Sequence, residues 1–502
     1  MTGRLPGKAL RDYYGARSGG GLRLAVAVLL LAPALSACIL GSERPELNLE
    51  VPAAYREGGH KAPDAHLPAL DWWRGFRSSE LTSLMDEAQI GNLDIAVAMA
   101  QIVQADAQVG IAGAPLFPSA TGTATAEQMR TPASAASGGT VFARTSPLYN
   151  LGISASYMVD FWGKNRALLY SAEESATASR YNREVVTLTA MVTVANAYFQ
   201  ILAAQDELRI ARRNLAAAER ILTLIKQQFA GGTASQLDVS QQEALVSTER
   251  AAIPPLEITL RQNIAALAVL VGRAPANFTV TGGTLTQIAV PRVTPGMPSE
   301  LLYQRPDIRQ AEAQLAASNF SVEAARAALF PQIQLTAQTG VQSAALASLF
   351  GPGAWFYTLS AGLTQPLFDG FLLESQLKQA KGVQLQNLQA YRKAVLSAFS
   401  DVEKALVALA QSTKQERLQT EAVASSRRAF EVSETQLRAG TVNLVTVLLT
   451  QQTLLTAENT LALVRLTKML AASSLFQALG GGWTPAGEWS SLQPQEKPAP
   501  PR

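Results

Sequence analysis

The sequence has little of what most enzymes and disulfide-bonded proteins depend on. Its 502 residues include one cysteine and two histidines. A single cysteine excludes an intramolecular disulfide and a cluster of cysteine metal ligands. There is no glycine-rich phosphate loop, and no run of eighteen apolar residues predicts a transmembrane helix. We therefore expect neither an enzyme nor a helical membrane protein.

The candidates for chemistry that do occur have simpler explanations. His60 and His66 lie in a segment without other clustered ligands, so we expect no metal site there. Glu173 and Glu174 could act as paired carboxylates, but on a long exposed helix they are expected to form a solvated face. The sequence thus predicts no catalytic residue, no metal and no bound cofactor.

The first 37 residues predict an export signal. A basic region precedes an apolar run from Leu24 to Leu35, and small residues follow it. This run is too short to span a bilayer, which takes about 20 residues. Removing the segment takes away five basic residues and one acidic residue, which changes the formal net charge from +3 to −1. Nothing in this charge predicts a nucleic-acid partner.

The signal ends at Leu35-Ser36-Ala37-Cys38, which resembles the lipobox of bacterial lipoproteins. The resemblance implies that Cys38 becomes the first mature residue, with an S-diacylglycerol group and an acylated amine. Several acyl chains would anchor the chain more firmly than one. The alternative is a plain secretory signal with an incidental cysteine. Ile39 stands where an aspartate usually marks inner-membrane lipoproteins, so the outer membrane is favoured.

Two proline-free stretches predict unusually long helices, with limits at 164–230 and 371–438. Their apolar residues recur at the 3-4 spacing of a helix that packs along one seam. Each helix would be roughly 100 Å long, against about 30 Å for the diameter of a small domain. We expect elements of this length to act over a distance.

Four further segments alternate apolar and small or polar residues, which predicts β-strands. They are 119–130, 148–161, 332–343 and 355–368. Their length suits an outer-membrane barrel, whose strands have about 9–11 residues within lipid. Four strands in one chain would leave open edges, and a closed barrel made from several copies removes them. The residues thus predict an oligomeric barrel with long helices, and a soluble coiled-coil protein with two hairpins is the alternative.

The order helix, strand, strand, long helix, helix occurs twice. Matching landmarks recur at nearly constant spacing. The pairs Asp94/Asp307 and Phe117/Phe330 are each 213 residues apart, and the pair Gly163/Gly370 is 207 apart. The pairs Gly232/Gly440 and Gly272/Gly480 are each 208 residues apart. We predict a duplication. The expected parts are a signal peptide 1–37, a lipid-anchored extended segment 38–76, a first repeat 77–272, a connector 273–298, a second repeat 299–482 and a C-terminal segment 483–502.

Smaller features refine this scheme. Asn92 is expected to be a helix N-cap, and Trp72-Trp73 to pack against the body of the protein. Pro254-Pro255 is expected to interrupt the helix that begins near Gln236.

Several motifs together resemble the TolC-like outer-membrane efflux factors, specifically the lipoprotein branch that serves RND-type tripartite pumps. The motifs are Asp71-Trp72-Trp73 with Phe76, Arg305-Pro306-Asp307-Ile308-Arg309-Gln310-Ala311-Glu312, Ala328-Leu329-Phe330-Pro331, Leu437-Arg438-Ala439-Gly440 and Ala478-Leu479-Gly480-Gly481-Gly482-Trp483. With the repeat and the lipobox, they span nearly the whole mature chain.

The resemblance implies a membrane β-barrel joined to an all-α tunnel. Three copies would form a 12-stranded barrel in the outer membrane and a 12-helix tunnel in the periplasm. The protein would be a passive exit duct for small molecules. Its partners would be a periplasmic adaptor (membrane fusion protein), an inner-membrane RND-type pump and outer-membrane lipid. A protein-secretion duct and a lipid-tethered spacer or adaptor without a pore are the alternatives, and the sequence does not name a substrate.

The resemblance also places a gate at the periplasmic helix turns, near Gly232-Thr233 and Gly440-Thr441. Asp238 is the candidate acceptor there, with Arg438 as its possible partner. Many relatives have an acidic residue nine positions after the second glycine, but here that position is Leu449. We therefore expect an apolar gate ring at Leu449, and the alternative is that Leu449 only packs between helices.

Overall fold

The computed structural model describes residues 69–131, 135–136, 139–140, 144–291, 298–481 and 483, together with most of 46–56. The expected signal peptide, Cys38, His60 and His66 lie outside the described residues.

Helices and strands follow one another in the same order in both halves of the chain. The first half contains α1 Ser79–Gly91, α2 Leu93–Gly113, β1 Ser119–Thr131, β2 Arg144–Val159, α3 Lys164–Ala230 and α4 Gln236–Leu270. The second half contains α5 Pro298–Gln304, α6 Pro306–Ala327, β3 Gln332–Ser343, β4 Trp355–Thr364, α7 Leu372–Arg438 and α8 Leu444–Ala478. Both long helices, α3 and α7, have 67 residues.

Three strands and one helix have limits that differ from the sequence predictions. Strand β1 ends at Thr131, one residue beyond the expected 130. Strand β2 begins at Arg144 and ends at Val159, whereas 148–161 was expected. Strand β4 ends at Thr364 instead of residue 368, because Pro366 cannot donate a ladder hydrogen bond and a turn follows it. Helix α7 begins one residue later than expected, since Phe371 has a φ of 66° and cannot belong to a right-handed helix.

The predicted break at Pro254-Pro255 is wrong, because α4 runs through both prolines. The prolines remove two backbone donors, yet the helix is held on both sides of them. Val246 and Glu249 are buried on one side, and Leu267 and Ala268 on the other. Tertiary packing therefore outweighs the local preference.

The described residues form two compact units, and neither unit coincides with one repeat. The sheet unit contains residues 110–172 and 316–386, and the helical unit contains 47–109, 173–315 and 387–483. Each repeat thus contributes two strands to one unit and most of its helices to the other.

The sheet unit is built on one antiparallel sheet with the order β1-β2-β3-β4. Tyr149 of β2 pairs with Ser343 of β3, so the strands of the two repeats meet at the centre of the sheet. Strands β1 and β4 are the edges, and each has one side without a partner strand in the described chain.

The helical unit has its core where α3 packs against α1, α4 and α8. Phe199, Ile201 and Leu202 of α3 are almost completely buried there. Trp72 and Trp73 are also buried, as predicted, and Trp72 stacks on Phe476 with ring centroids 5.0 Å apart.

The connector between the repeats is held against the helices by carboxylates and an amide. The Glu80 carboxylate accepts hydrogen bonds from the backbone N–H groups of Thr281 at 2.7 Å and Gly282 at 3.0 Å. Gln205 accepts one from Gly283 at 2.8 Å, and Asp206 accepts one from Leu285 at 3.0 Å. The connector is therefore fixed to the helical unit mainly through its backbone.

Two helical stretches are long and apolar enough, by length and composition alone, to cross a membrane. They are Ser79–Leu116 and Lys164–Ala230. Core helices pass the same test, and 56% of the apolar window in the second stretch is buried inside the protein. In the first stretch 11% of the apolar window is buried inside the protein.

Candidate functional site

The sheet has one apolar face and one mainly polar face. Residues that pair directly across strands share a face, so the register assigns each side chain. The apolar face contains Ala120, Ala124, Ala126, Tyr149, Leu151, Ile153, Ala155, Tyr157, Val159, Ile333, Leu335, Ala337, Val341, Trp355, Tyr357, Leu359, Ala361 and Leu363, with Gln128, Arg130, Thr145 and Ser343 among them. The opposite face contains Ser119, Thr121, Thr123, Thr125, Asn150, Ser154, Ser156, Gln332, Gln334, Thr336, Gln338, Gln342, Thr358, Ser360 and Thr364, with Met129, Leu148, Met158 and Phe356 among them.

Many large side chains of the apolar face are exposed, above all those of β4, whereas Tyr149, Tyr157 and Ile333 are half-buried. Leu359 is 74% exposed and Leu363 is 68% exposed. Thr339 places a hydroxyl on this face near its aromatic end, and that hydroxyl accepts a hydrogen bond from Nε1 of Trp355 at 3.2 Å. Exposed apolar side chains on one face and hydroxyls and amides on the other are the pattern of a barrel wall between lipid and water.

The two helical hairpins end in matching turns. Gly232 and Gly440 have φ values of 76° and 73°, which only glycine adopts without strain. In each turn the next residue, Thr233 or Thr441, donates its backbone N–H to a carbonyl five residues earlier, at 2.9 and 3.0 Å. Both threonine hydroxyls donate to the same carbonyls at 3.1 Å. This is the Schellman arrangement, closed by an additional side-chain hydrogen bond.

The helices that leave these turns have different caps. Ser235 and Asp238 form a reciprocal capping box at the start of α4. At the start of α8, Oδ1 of Asn443 accepts from the backbone N–H of Thr446 at 3.1 Å. The two turns are thus fixed locally, and each directs its chain back along the preceding long helix.

Asp238 and Arg438 are not brought together within one chain. The Asp238 carboxylate accepts from the N–H of Ser235 at 2.8 Å and from its Oγ at 2.7 Å, and these bonds lower the pKa of Asp238. Arg438 donates to Glu434 at 2.6 Å, one turn back on its own helix. Within one chain, both residues thus have partners in their own helical turn, and a pair between copies stays a prediction.

Leu449 does not pack between the helices of its own chain, because its side chain is 65% exposed. Its neighbours Val447 and Leu448 instead pack into an apolar cluster that joins the two hairpins. The buried members of this tip cluster are Ala217, Ile221, Ile225, Val239, Phe430, Leu437, Leu444 and Val447. Leu449 therefore lies on the surface of the single chain, next to the buried tip cluster.

Amide side chains tie the helices of the hairpins to one another, and the sequence did not predict these contacts. Gln242 joins α4 to α3 within the first hairpin, whereas Gln228 and Gln451 join the two hairpins. Nε2 of Gln242 donates to the carbonyl of Ala218 at 2.9 Å, and Nε2 of Gln451 donates to Oδ1 of Asn214 at 3.0 Å. Gln228 reaches the carbonyl of Leu437 at 3.3 Å. Their one sequence signal is a glutamine at a position where helical periodicity predicts an apolar residue.

Arg305 is another functional candidate whose role the sequence did not reveal. Its buried guanidinium donates to both oxygens of Asp307 at 3.0 and 2.7 Å, to Asp401 at 3.3 Å and to the carbonyl of Ala478 at 3.2 Å. The predicted N-cap Asn92 has the matching position in the first repeat and donates to the carbonyl of Leu270 at 2.7 Å. The same junction is therefore closed by an amide in one repeat and by a guanidinium in the other.

The described residues contain no group of three or more His, Cys, Asp or Glu side chains that could hold a metal ion. Burial, followed by the charges of Glu173 and Glu312, raises the pKa of Glu174. Among the described residues, Glu173 and Glu174 therefore belong to no group of side chains that could hold a metal ion.

Comparisons with known proteins agree with this geometry. The chain matches the model of the outer membrane efflux protein family over residues 84–273 and 297–481. It is 37% identical over 458 residues to the pyoverdine export outer membrane protein OpmQ of Pseudomonas aeruginosa, covering 89% of this chain and 96% of that protein. It is 30% identical over 467 residues to the toluene efflux pump outer membrane protein TtgC of Pseudomonas putida, covering 90% of this chain and 96% of that protein.

Among solved structures, the outer-membrane channel OprN aligns with a TM-score of 0.82 at 25% identity, covering 88% of this chain and 99% of that one. The resemblance to TolC-like channels is therefore confirmed. The two-faced sheet is the barrel wall, and the paired hairpins are the tunnel. The chain belongs to the outer membrane efflux protein family, and it is an outer-membrane exit duct of a tripartite efflux system with its helices in the periplasm.

Proposed function

We propose that three copies of this chain close into one passive duct of twelve strands and twelve tunnel helices. The observation that supports this most directly is the four-stranded sheet with two faces and two unpaired edges in the described chain. Pairing β4 of one copy with β1 of the next removes every edge, which lipid requires. The duct supplies no energy and no catalysis of its own.

The exposed apolar residues of α1 and α2 support contact between copies. Ile90, Leu93, Val103 and Ile111 are all largely exposed in the single chain. An exposed apolar surface of this kind is typical of a permanent subunit interface.

Purified protein in detergent, followed by planar-bilayer recording, tests the duct. We expect a heat-labile trimer that conducts ions. A monomer without conductance would favour the lipid-tethered spacer, whereas a conducting oligomer with another number of subunits would contradict the twelve-stranded barrel.

The gate of this duct is proposed to be a ring of Leu449 side chains, one from each copy. Its support is the exposure of Leu449 next to the buried tip cluster. Leu449→Ser is expected to raise the closed-state current, because a polar ring is easier to wet than an apolar one. Leu463→Ser is the matched control, since Leu463 is an exposed leucine of the same helix away from the turn. Unchanged current in Leu449→Ser would refute the gate.

We also propose that Cys38 anchors the chain in the outer membrane through S-diacylglycerol and an N-acyl group. The support is the lipobox and the lack of any other cysteine in the sequence. Mass spectrometry of the N-terminal peptide tests this directly. An unmodified cysteine, or a mature chain beginning at another residue, would contradict it.

The helix turns are the proposed contact for the periplasmic adaptor, which links the duct to an inner-membrane pump of the RND type. Helix-breaking changes at Gly232-Thr233 or Gly440-Thr441 are expected to abolish efflux and to leave barrel assembly intact. Loss of trimers in those variants would contradict this assignment.

The proposed cargo is small molecules rather than proteins. The relative OpmQ is named for pyoverdine export and TtgC for toluene efflux, and both match nearly the full length of this chain. A deletion strain should accumulate a small molecule or become sensitive to one. A defect confined to protein secretion would contradict the proposal.

A further inference from the structure

A cleft with a volume of about 540 Å³ lies within the helical unit. Three helices, α3, α7 and α8, line it together with Thr284 and Thr286 of the connector. Its volume lies in the range of about 300–1,000 Å³ that is typical of sites for small molecules. Five of its lining residues are arginines, namely Arg209, Arg213, Arg427, Arg428 and Arg465. We call it the arginine cleft.

The arginine cleft has more cations than anions. Asp206, Glu431 and Glu458 are its three carboxylates, so the five arginines leave a formal surplus of two positive charges. The chain without its expected signal has a formal net charge of −1, so this surplus is a local feature. A concave site lined by charges of one sign concentrates the electrostatic field and attracts small ions of the opposite sign.

Asp206 supports one wall of the cleft. Its carboxylate accepts hydrogen bonds from the N–H of Leu285 at 3.0 Å and from the hydroxyl of Thr284 at 3.1 Å. It also pairs with Arg209 at 2.9 Å. Arg209 in turn donates to the carbonyl of Gly283 at 2.8 Å. These contacts hold the connector against α3, so Asp206 is occupied and does not neutralise the other arginines.

Glu458 is shared between two arginines. Its side chain is 13% exposed and pairs with Arg427 and with Arg213, the latter at 3.6 Å. That distance is too long for a hydrogen bond, and Arg213 makes none within the described residues. The preceding residue, Arg212, by contrast pairs with Glu257 at 2.9 Å. The N–H donors of Arg213 are therefore available to a ligand.

Arg428 is the least engaged arginine of the cleft. Its Nη2 donates to Oγ of Ser425 at 3.1 Å on its own helix. In the part of the chain that the structure describes, no carboxylate forms an ion pair with it. Since a guanidinium has five N–H donors, four remain for a ligand. Arg465, by comparison, already donates to Glu416 at 3.1 Å.

We propose that the arginine cleft binds a compact polyanion with two or more carboxylate or phosphate groups. Arg213 and Arg428 are its principal ligands, because most of their N–H donors have no acceptor among the described residues. The planar guanidinium matches a carboxylate or a phosphate through two parallel hydrogen bonds. An anion with two negative groups balances the surplus of two charges. This site is distinct from the helix turns, and binding to it does not depend on the number of copies in the duct.

Calorimetric titration of the full chain in a non-ionic detergent tests the site. Sodium pyrophosphate and sodium citrate are the probes, and sodium chloride keeps the ionic strength constant so that screening does not change. We expect saturable binding of one probe molecule per chain, and the tighter probe identifies phosphate or carboxylate as the preferred group. Sodium acetate should bind about tenfold more weakly or less, because it engages one guanidinium only. No saturable binding of either probe, or acetate binding of equal strength, would overturn the proposal.

Two variants identify the ligands. Arg428→Gln and Arg213→Gln are each expected to weaken binding of the tighter probe by about tenfold or more, because a charge-assisted contact is lost. Arg212→Gln is the matched control, since it removes the same charge next to Arg213 but lies outside the lining of the cleft. It should bind the probe like the unmodified protein. Equal losses in all three variants would overturn the proposal, because the net charge alone would then explain the attraction.

Thermal unfolding provides a second measurement. A bound probe stabilises the folded state, so pyrophosphate or citrate should raise the thermal midpoint at constant ionic strength. Arg428 forms no ion pair within the described residues, so Arg428→Gln should keep the midpoint that the protein has without a probe. The rise caused by the probe should be smaller in this variant. An equal rise in Arg428→Gln and in the unmodified protein would contradict the site.

Discussion

Nε2 of Gln451 donates a hydrogen bond to Oδ1 of Asn214 across 3.0 Å, so α8 is tied to α3 although the two helices belong to different repeats. Gln451 is 2% exposed. Within the described part of the chain, its Oε1 and the Nδ2 of Asn214 have no partner. This hydrogen bond links the hairpins within a largely buried contact, where it is stronger than it would be in water.

A double-mutant cycle should detect this link. Gln451→Leu, Asn214→Leu and the double variant are expected to show a coupling energy of about 0.5–1.5 kcal/mol in the free energy of unfolding. Each single variant should also raise the closed-state current, because the tie between hairpins is lost. The exposed pair Gln452 and Thr456, 3.5 Å apart on one helix, is the control and should show no coupling. Additive effects at Gln451 and Asn214 would contradict the prediction.

Arg305→Met should destabilise the helical unit by about 2–4 kcal/mol, because two carboxylates and a carbonyl lose a buried partner. The lower limit of this range allows for the exposure of the two carboxylates. Asp307 is 33% exposed and Asp401 is 46% exposed, so water partly screens their interaction with Arg305. Thermal unfolding in detergent measures the change.

Arg309→Met is the matched control for Arg305, since it lies on the same helical stretch and pairs with the exposed Glu312. We expect it to change the stability by less than about 1 kcal/mol. Equal losses in both variants would show that Arg305 has no special structural role.

Gly440→Ala should destabilise the hairpin by about 1–2 kcal/mol, because alanine is strained at a φ of 73°. There is open space around the position, so the effect comes from the backbone alone. Gly382→Ala is the control, because Gly382 lies inside α7, also in open space. That change should stabilise the protein by about 0.5–1 kcal/mol. A similar change in the free energy of unfolding in both variants would refute the assignment of Gly440 to a turn that requires a positive φ.

The ionisation of Glu416 should make the free energy of unfolding depend on pH in the acidic range. Burial alone would raise the pKa of Glu416, but hydrogen bonds and charges from Lys468 and Arg465 together lower it below its ordinary value of 4.5. Its carboxylate accepts from Lys468 at 2.8 Å and from Arg465 at 3.1 Å. Because the folded pKa is the lower one, its stabilisation is fully present above the ordinary, unfolded pKa and is lost as the pH falls through the folded value.

Glu416→Gln should therefore lower the thermal midpoint at pH 7 and have a smaller effect near pH 3. Glu421→Gln, at an exposed pair with Arg417, should change neither value. A loss in Glu416→Gln that is the same at both pH values would contradict the linkage.

The sequence predicted the long helices and the strands well, because their periodicity spans many residues. Its clearest error arose where packing between distant residues outweighed the conformational preference of the local sequence. Pro254-Pro255 is a strong local helix breaker, yet burial on both sides holds α4 continuous.

By itself, the sequence determined the duplication, the element types and the family, because repeated landmarks and alternation survive without any contact being known. Only the tertiary structure decided which side chains meet. It exposed Leu449 while burying the nearby Val447, tied Gln451 to Asn214, and gave the exposed Phe371 a left-handed backbone. These are contacts between positions far apart in the chain or consequences of a single φ value, and a linear pattern contains neither kind of information.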